Sequence, residues 1–365
     1  MRIKAAVAVE KGKLEMQELE LGTPQMGEVL VKVEACGVCH TDTSTLNLEV
    51  PSPLPMVLGH EAVGIVEELG PGMRSLKEGD HVILSFPSCG CCENCLSGKP
   101  YACETSSELF FNGIYPAGGT RIKNDAGQDV GSLFGQGGFA DHCIVSVRNA
   151  VKVDSEVDMK PLCSLACGAQ TGAGAVLNLM KPRPGDSIVV FGCGAVGISA
   201  VMAAKIAGCG TIIGVDAVPS RLELAKECGA THVINGKECP DIAAEVHALT
   251  GGKGARFALE SSGAAVLVKP MLMSLGKEGR AVVVSFVGGD VDMNLTMLFV
   301  GSCRSLEGTV EGAANPQTFI PRLVQFYKEG KFPVDKLVTY YPFGEIDRAF
   351  AESHSGKAIK PILVF

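Results

Sequence analysis

The chain opens on alternation. Apolar and polar residues trade places along MRIKAAVAVEKGKLEMQELELG, and again in EVLVKVEACGV and EAVGIVEELG, the period-two signature of half-buried strands. Breakers separate these runs at Pro24, Pro51, Pro53, Pro55, Pro71, Gly72 and Gly79–Asp80, so residues 1–160 are expected to form an irregular β domain of hairpins and loops. Residues 104–138 are glycine-rich with few helix signals and read as a surface flap or substrate-side loop.

After Pro161 the pattern changes. SIVVF (187–191), TIIGVD (211–216), THVIN, RFALE and RAVVVSFVG are short apolar runs. Helix-like segments stand between them: GISAVMAAKIAG, PSRLELAKECG and a stretch around 264–276. Strands alternating with helices argue a parallel βαβ sheet covered on both faces. An amphipathic helix, PQTFIPRLVQFYKEG, and a strand-like IKPILVF close the chain; a return of this end to the β domain would make the α/β part an insertion. The expected class is α/β, a doubly wound parallel sheet set into a mainly β domain.

Composition narrows the function. A chain of 365 residues is long enough for two domains, each with its own core. Net charge is -8 and no basic tract is present, so nucleic acid is not an expected partner. The N-terminus carries acids where a signal peptide needs an unbroken apolar core, and no run of 18 residues stays apolar without charge or frequent glycine. Neither export nor a membrane span is expected, and a cytoplasmic location follows. Thiols there stay reduced, so clustered cysteines read as metal ligands rather than crosslinks. Scattered Cys143, Cys193, Cys209, Cys228 and Cys303 read as small core fillers.

One cysteine cluster is strongly patterned. Cys89, Cys92, Cys95 and Cys103 give C-x2-C-x2-C-x7-C, a closed tetrahedral set suited to structural zinc, with Cys91 a bystander. Cys39 and His60, 21 residues apart, have no diagnostic spacing; taken alone, each is better read as a core thiol or a hydrogen-bonded histidine. The acidic neighbours Asp42 and Glu61, the flanking glycines, and Cys167 at the start of the α/β part lift them to an open Cys2His set. Such a set leaves a fourth zinc position for water or substrate.

The glycines of GCGAVG follow SIVVF and precede a helix. Gly192 permits the turn, Gly194 lets the backbone approach a pyrophosphate, and Gly197 allows close helix–strand packing. Asp216, 19 residues after Gly197, is placed to accept from an adenosine ribose 2′-OH, which favours NAD over NADP; Arg221 stands close enough to approach the same ribose. A zinc ion and NAD together suit hydride transfer, the metal lowering the pKa of an alcohol so that its alkoxide passes hydride to the nicotinamide.

Together the motifs CHTD (39–42), GHEAVG (59–64), GDHV (79–82), the four-cysteine lobe, CGAQTGAGAV and GCGAVG resemble the zinc-dependent medium-chain alcohol dehydrogenases over essentially the whole chain. PLPMVLGHE, LFGQGGFADH, FIPRLVQFYKEGKFP and GKAIKPILVF look most like the aryl and allylic alcohol dehydrogenases of benzyl alcohol and geraniol type. The resemblance implies a GroES-like catalytic domain of 1–167 plus 311–365 with a zinc lobe at 89–103, a Rossmann domain at 168–310, and homodimers or homotetramers joined near 295–306. It implies two zinc ions per chain, the catalytic one on Cys39, His60 and Cys167. Glu61 would assist ligand exchange, Asp42 orient His60, and Thr41 begin a proton relay. His40 and Lys360 would lie at the cofactor pyrophosphate, and Thr171 and Val196 at the nicotinamide.

Two positions depart from the family pattern. Where some members place a relay histidine, this chain has Ser44, which cannot act as a base near pH 7. Ser85 stands where ethanol-active members often carry an aromatic ring, leaving room for bulky substrates. The expected activity is reversible NAD-dependent oxidation of bulky apolar primary alcohols, aromatic or allylic, to aldehydes. The alternatives are secondary, cyclic or medium-chain aliphatic alcohols, or a hydroxymethyl-thiol adduct. A nucleotide-binding zinc protein without turnover fits poorly, since the three ligands and Thr41 are all present.

Overall fold

Alternation becomes pairing in the first part of the chain. Arg2–Glu10 and Lys13–Leu21 form an antiparallel hairpin, and with Ile122–Lys123, Asp129–Ser132 and Met56–Val57 they close a barrel. Ile3, Ala5 and Val7 point into it alongside Leu19, Leu21 and Tyr115, as a period of two requires. The computed structural model describes all residues, 1–365. It divides into one unit of Met1–Cys167, Asn315–Phe326 and Val334–Phe365, and a second of Gly168–Ala314 and Tyr327–Pro333.

A second sheet of the first unit is built around Glu28–Gly37. This strand pairs antiparallel with Ala62–Leu69, with His142–Ser146, and with the chain's last strand, Lys360–Val364. The register matters for chemistry. Cys36 stands opposite Ala62, and Gly37 opposite Ile362. Residues just beyond Gly37, just before Ala62 and just before Ile362 therefore gather at one end of the sheet.

The 104–138 segment is a surface loop only in part, exposed at 117–119 and 125–129. Ser106–Phe111 is helical, and Leu109, Phe110, Tyr115, Leu133 and Phe134 are buried. Its aromatic and aliphatic side chains draw it into the core, outweighing the glycines that made it look like a loop. Of the scattered cysteines, Cys143, Cys193 and Cys228 are buried and Cys209 partly so, but Cys303 is exposed. It occupies a left-handed backbone position, φ 54°, which ends a short helical turn rather than filling a core.

In the second unit, six parallel strands lie in the order His232–Asn235, Thr211–Asp216, Ser187–Phe191, Ala255–Glu260, Leu275–Val283, Ser305–Gly308. Numbered along the chain this is 3-2-1-4-5-6, the dinucleotide-binding arrangement. Apolar runs are required because both faces are covered: Val189, Phe191, Ile213, Val215 and Ala258 are all buried. Strand order reverses beside Ser187–Phe191, and ligands of such sheets bind outside the carboxyl ends at that point. No single helix is long and apolar enough to cross a membrane.

Candidate active site

Sheet register solves the spacing problem posed by Cys39 and His60. Cys39 caps the helix His40–Leu46, which starts directly after the central strand; His60 and Glu61 precede the neighbouring strand. Cys167 ends a run of tight helical turns, Lys160–Ala166. One candidate donor atom from each of Cys39, His60, Glu61 and Cys167 lies within 4.8 Å of all the others.

Asp42 holds this group together. Its Oδ2 accepts from the Cys39 N–H at 2.9 Å, and its Oδ1 accepts from the Gly59 N–H at 2.9 Å and lies 3.1 Å from His60 Nδ1. A carboxylate on Nδ1 fixes the ring plane and aims Nε2 at the sulfurs. His60 Nε2 is buried with no hydrogen-bond partner. An orphaned imidazole nitrogen beside two thiols is what a zinc ligand set requires, and these residues fit that metal.

Charge is shifted accordingly. A hydrogen bond from Cys167, helped by Lys360 and His60, holds the Cys39 thiol well below its ordinary range despite burial. Burial opposes a charged His60, but Asp42 and Cys39 outweigh it and hold its pKa well above the usual value. Burial pushes Glu61 up to about 7, although Lys360 works against it. Thr41 Oγ1 lies 3.8 Å from Cys39 Sγ, and the His40 side chain is exposed.

Lys360, expected from the resemblance at a cofactor phosphate, has a protein partner of its own. It is buried, and its Nζ donates to Glu61 Oε1 at 2.9 Å, Glu61 Oε2 at 2.8 Å and Val38 O at 3.3 Å. A buried carboxylate needs a cation, and Gly37 opposite Ile362 puts Lys360 where it supplies one. Ser85 also does more than leave space. Its Oγ donates to Ala166 O at 2.7 Å, while Gln136 Nε2 donates to Ser85 O at 2.6 Å, tying the residue before Cys167 to the core.

Sequence reasoning missed the aromatic support of His60. Phe134 stacks on the imidazole with ring centres 4.6 Å apart, and Phe110 stacks on Phe134 at 4.3 Å. Phe134 sits at φ 55°, an unfavourable conformation for a bulky residue, and Asn149 Nδ2 donates to its carbonyl at 3.1 Å. No pattern in the sequence marks that backbone.

The four lobe cysteines also converge, their sulfurs all within 4.8 Å of one another. The Cys92 N–H donates to Cys89 Sγ at 3.4 Å and the Cys89 N–H to Cys103 Sγ at 3.3 Å. N–H groups of this kind, with that of Cys91 foremost, bring the Cys89 thiol down to about 6. Cys91 itself is exposed and lies outside the group.

In the second unit, Gly192 has φ 92° and turns the chain out of Ser187–Phe191, and a Cβ on Gly197 would fall 1.7 Å from Gly192 O. Gly194 has open space in front of it and caps the helix Ala195–Ile206. Asp216 ends its strand with Oδ2 accepting from the Cys193 N–H at 2.7 Å and Oδ1 from the Val218 N–H at 2.9 Å. Arg221 Nη1 is 4.0 Å from Asp216 Oδ2. Val196 lies in the first turn of the glycine-capped helix. Thr171 is buried, with its Oγ1 donating to Glu311 at 3.4 Å. These residues fit a dinucleotide with free ribose hydroxyls.

Known proteins share this sequence and fold. Residues 25–155 match the alcohol dehydrogenase GroES-like domain and residues 195–329 the zinc-binding dehydrogenase domain. The chain belongs to the zinc-dependent medium-chain alcohol dehydrogenase family. A geraniol dehydrogenase of Castellaniella defragrans is 38% identical over 356 residues, covering 97% of this chain and 95% of the relative. An S-(hydroxymethyl)glutathione dehydrogenase of Paracoccus denitrificans is 32% identical, with 100% of both chains covered. The crystal structure of benzyl alcohol dehydrogenase from Acinetobacter calcoaceticus superposes with a TM-score of 0.95 at 42% identity, covering 100% of this chain and 99% of that one.

Proposed function

We propose that this chain is an NAD-dependent dehydrogenase of bulky apolar primary alcohols, aromatic or allylic, which it oxidises reversibly to aldehydes. The observation that carries this reading is the partnerless, buried Nε2 of His60, aimed by Asp42 at the thiols of Cys39 and Cys167. Zinc bound there supplies a Lewis acid that lowers the pKa of an alcohol, and NAD bound at Gly192–Gly197 and Asp216 supplies the hydride acceptor.

The chain's own residues do the rest. Thr41 Oγ1 stands beside Cys39 and relays the alcohol's proton, accepting it while passing its own hydroxyl proton onward. Ser44 lies three residues along the same helix, and its Oγ donates to Glu49 Oε2 at 2.8 Å. The carboxylate of Glu49 offers the base that Ser44 lacks. Phe110, Phe111 and Phe134 form an aromatic cluster against His60 that favours an apolar substrate. Selection among such substrates rests on burial, at about 0.8 kcal/mol per methylene, so it is broad. Relatives named for geraniol and benzyl alcohol support this choice over the hydroxymethyl-thiol alternative, which a relative's name also raises.

The account includes a second, structural zinc on Cys89, Cys92, Cys95 and Cys103, a cytoplasmic location, and a homodimer or homotetramer. Leu295, Met297 and Val300 expose large apolar side chains on the second unit close in sequence to its edge strand, which suits self-association. Metal analysis tests the core of the reading: wild type holds two zinc ions per chain, and Cys39→Ser retains the lobe zinc while forming no NADH from benzyl alcohol. Full zinc and full activity in that variant would contradict it.

A further inference from the structure

A cleft of the first unit lies apart from Cys39, His60 and Cys167 and borders the cysteine lobe at Cys95. It measures about 490 Å³, and Leu76, Phe86, Pro100, Val147, Arg148 and Gln317 are among the residues that line it. That volume falls within the range of small-molecule pockets.

Its two charged residues, Arg148 and Lys152, are both basic, and Ser75, Ser88, Asn315 and Gln317 add neutral polar groups. Lys152 also lines the cleft but is neutralised by Asp80 at 2.8 Å. The guanidinium of Arg148 makes no ion pair. It lies across Gly90, where a Cβ would fall 1.6 Å from Nη1 and 1.8 Å from Cζ, so only glycine lets the side chain adopt this course. Gln317 Nε2 donates to the Arg148 and Ala150 carbonyls at 3.1 Å each, which fixes the backbone that carries the arginine. An exposed guanidinium without an ion-pair partner, set beside apolar walls, matches a planar carboxylate on an apolar body.

We propose that this cleft binds an apolar-bodied organic carboxylate, an aromatic acid being the simplest example. A path from the cleft to the catalytic group is built in. Phe86 lines the cleft and packs edge-on against Phe110 at 6.1 Å; Phe110 stacks on Phe134, and Phe134 on His60. A ligand pressing on Phe86 acts on the ring that holds His60. One further oxidation of the proposed aldehyde product gives such an acid; that physiological link rests on the proposed function, whereas the binding site does not.

The test is calorimetric titration of benzoate into the zinc-loaded enzyme without nucleotide, repeated with Arg148→Gln and with two control ligands. Loss of a charge-assisted hydrogen-bonded pair weakens binding about tenfold to a hundredfold. The expected result is a benzoate site that Arg148→Gln weakens to that extent, with the variant's melting temperature unchanged in the absence of ligand. Neutral benzamide and inorganic phosphate should both bind far more weakly than benzoate. Equal benzoate affinity in Arg148→Gln would overturn the site, because binding would then lie elsewhere, at the metal first of all. Equal affinity for benzamide would remove the role of charge, and equal affinity for phosphate that of the apolar walls. A Leu76→Asp variant gives a second reading: it should reject benzoate while keeping Arg148, and unchanged affinity there would also overturn the proposal.

Discussion

Asp42 Oδ1 lies 3.1 Å from His60 Nδ1, and the same carboxylate holds the backbone N–H groups of Cys39 and Gly59. One buried acid thus sets the direction of a histidine and the position of a cysteine that stand far apart in the sequence. Asp42→Asn puts an N–H donor against a partner that is itself a donor. It should lower kcat/KM by about 10–100-fold and weaken zinc retention at the catalytic group. Steady-state kinetics with metal analysis checks both; an unchanged zinc content and rate would mean that His60 is aimed by its packing alone.

Lys360 and Glu61 form a second such relationship, with side chains 4% and 0% exposed. Lys360→Met leaves a buried carboxylate without its cation and should cost about 3–5 kcal/mol. Chemical denaturation measures the loss. Unchanged stability with weakened NAD binding would mean that Lys360 serves the cofactor phosphate, as the family resemblance implies, and not the carboxylate.

Leu48 ends the His40–Leu46 helix in a left-handed conformation, φ 53°, with its side chain exposed. The Glu49 N–H reaches back to Ser44 O at 2.9 Å, the closure that glycine usually makes. Relief of the left-handed strain exceeds the added entropy of glycine, so Leu48→Gly should stabilise the protein by about 0.5–1 kcal/mol. Thermal denaturation decides; destabilisation would show that Leu48 contributes packing its exposure does not reveal.

Glu352 accepts from Lys357, Tyr341 and Arg348 at 2.8, 2.6 and 3.1 Å. Led by Lys357, these donors bring its pKa from 4.5 to about 2. Since the folded value lies below the unfolded one, this contribution is complete above about pH 4.5 and fades as pH falls towards 2. Glu352→Gln should therefore be less stable than wild type at pH 6, with the gap closing across that window. A gap constant with pH would mean that the charge plays no part.

The alternating and apolar runs made most of the fold legible, including five of the six strands of the parallel sheet; the edge strand Ser305–Gly308 carries no apolar run. Cys89, Cys92, Cys95 and Cys103 were legible because their ligands are local. Cys39 and His60 were legible through their flanking acids and glycines, Cys167 and the family resemblance but not through spacing, because sheet pairing brings them together. The buried part of the 104–138 segment was not legible, because its glycines mask Phe110, Tyr115 and Phe134, whose burial depends on tertiary packing. The helix Gly168–Gly174 was hidden for a related reason: its glycines permit close contact, as at Gly172, where a Cβ would fall 1.9 Å from Val196 O. The partners of Lys360 and Ser85 depend on long-range register, which no local pattern reports.

The central claim is the substrate class. Its most direct test is kcat/KM for NAD+ reduction with benzyl alcohol, cinnamyl alcohol and geraniol, set against hexanol, ethanol, cyclohexanol and S-hydroxymethylglutathione. The account predicts that the aromatic and allylic primary alcohols lead the series. Ethanol, cyclohexanol or the thiol adduct clearly ahead of benzyl alcohol and geraniol would contradict it.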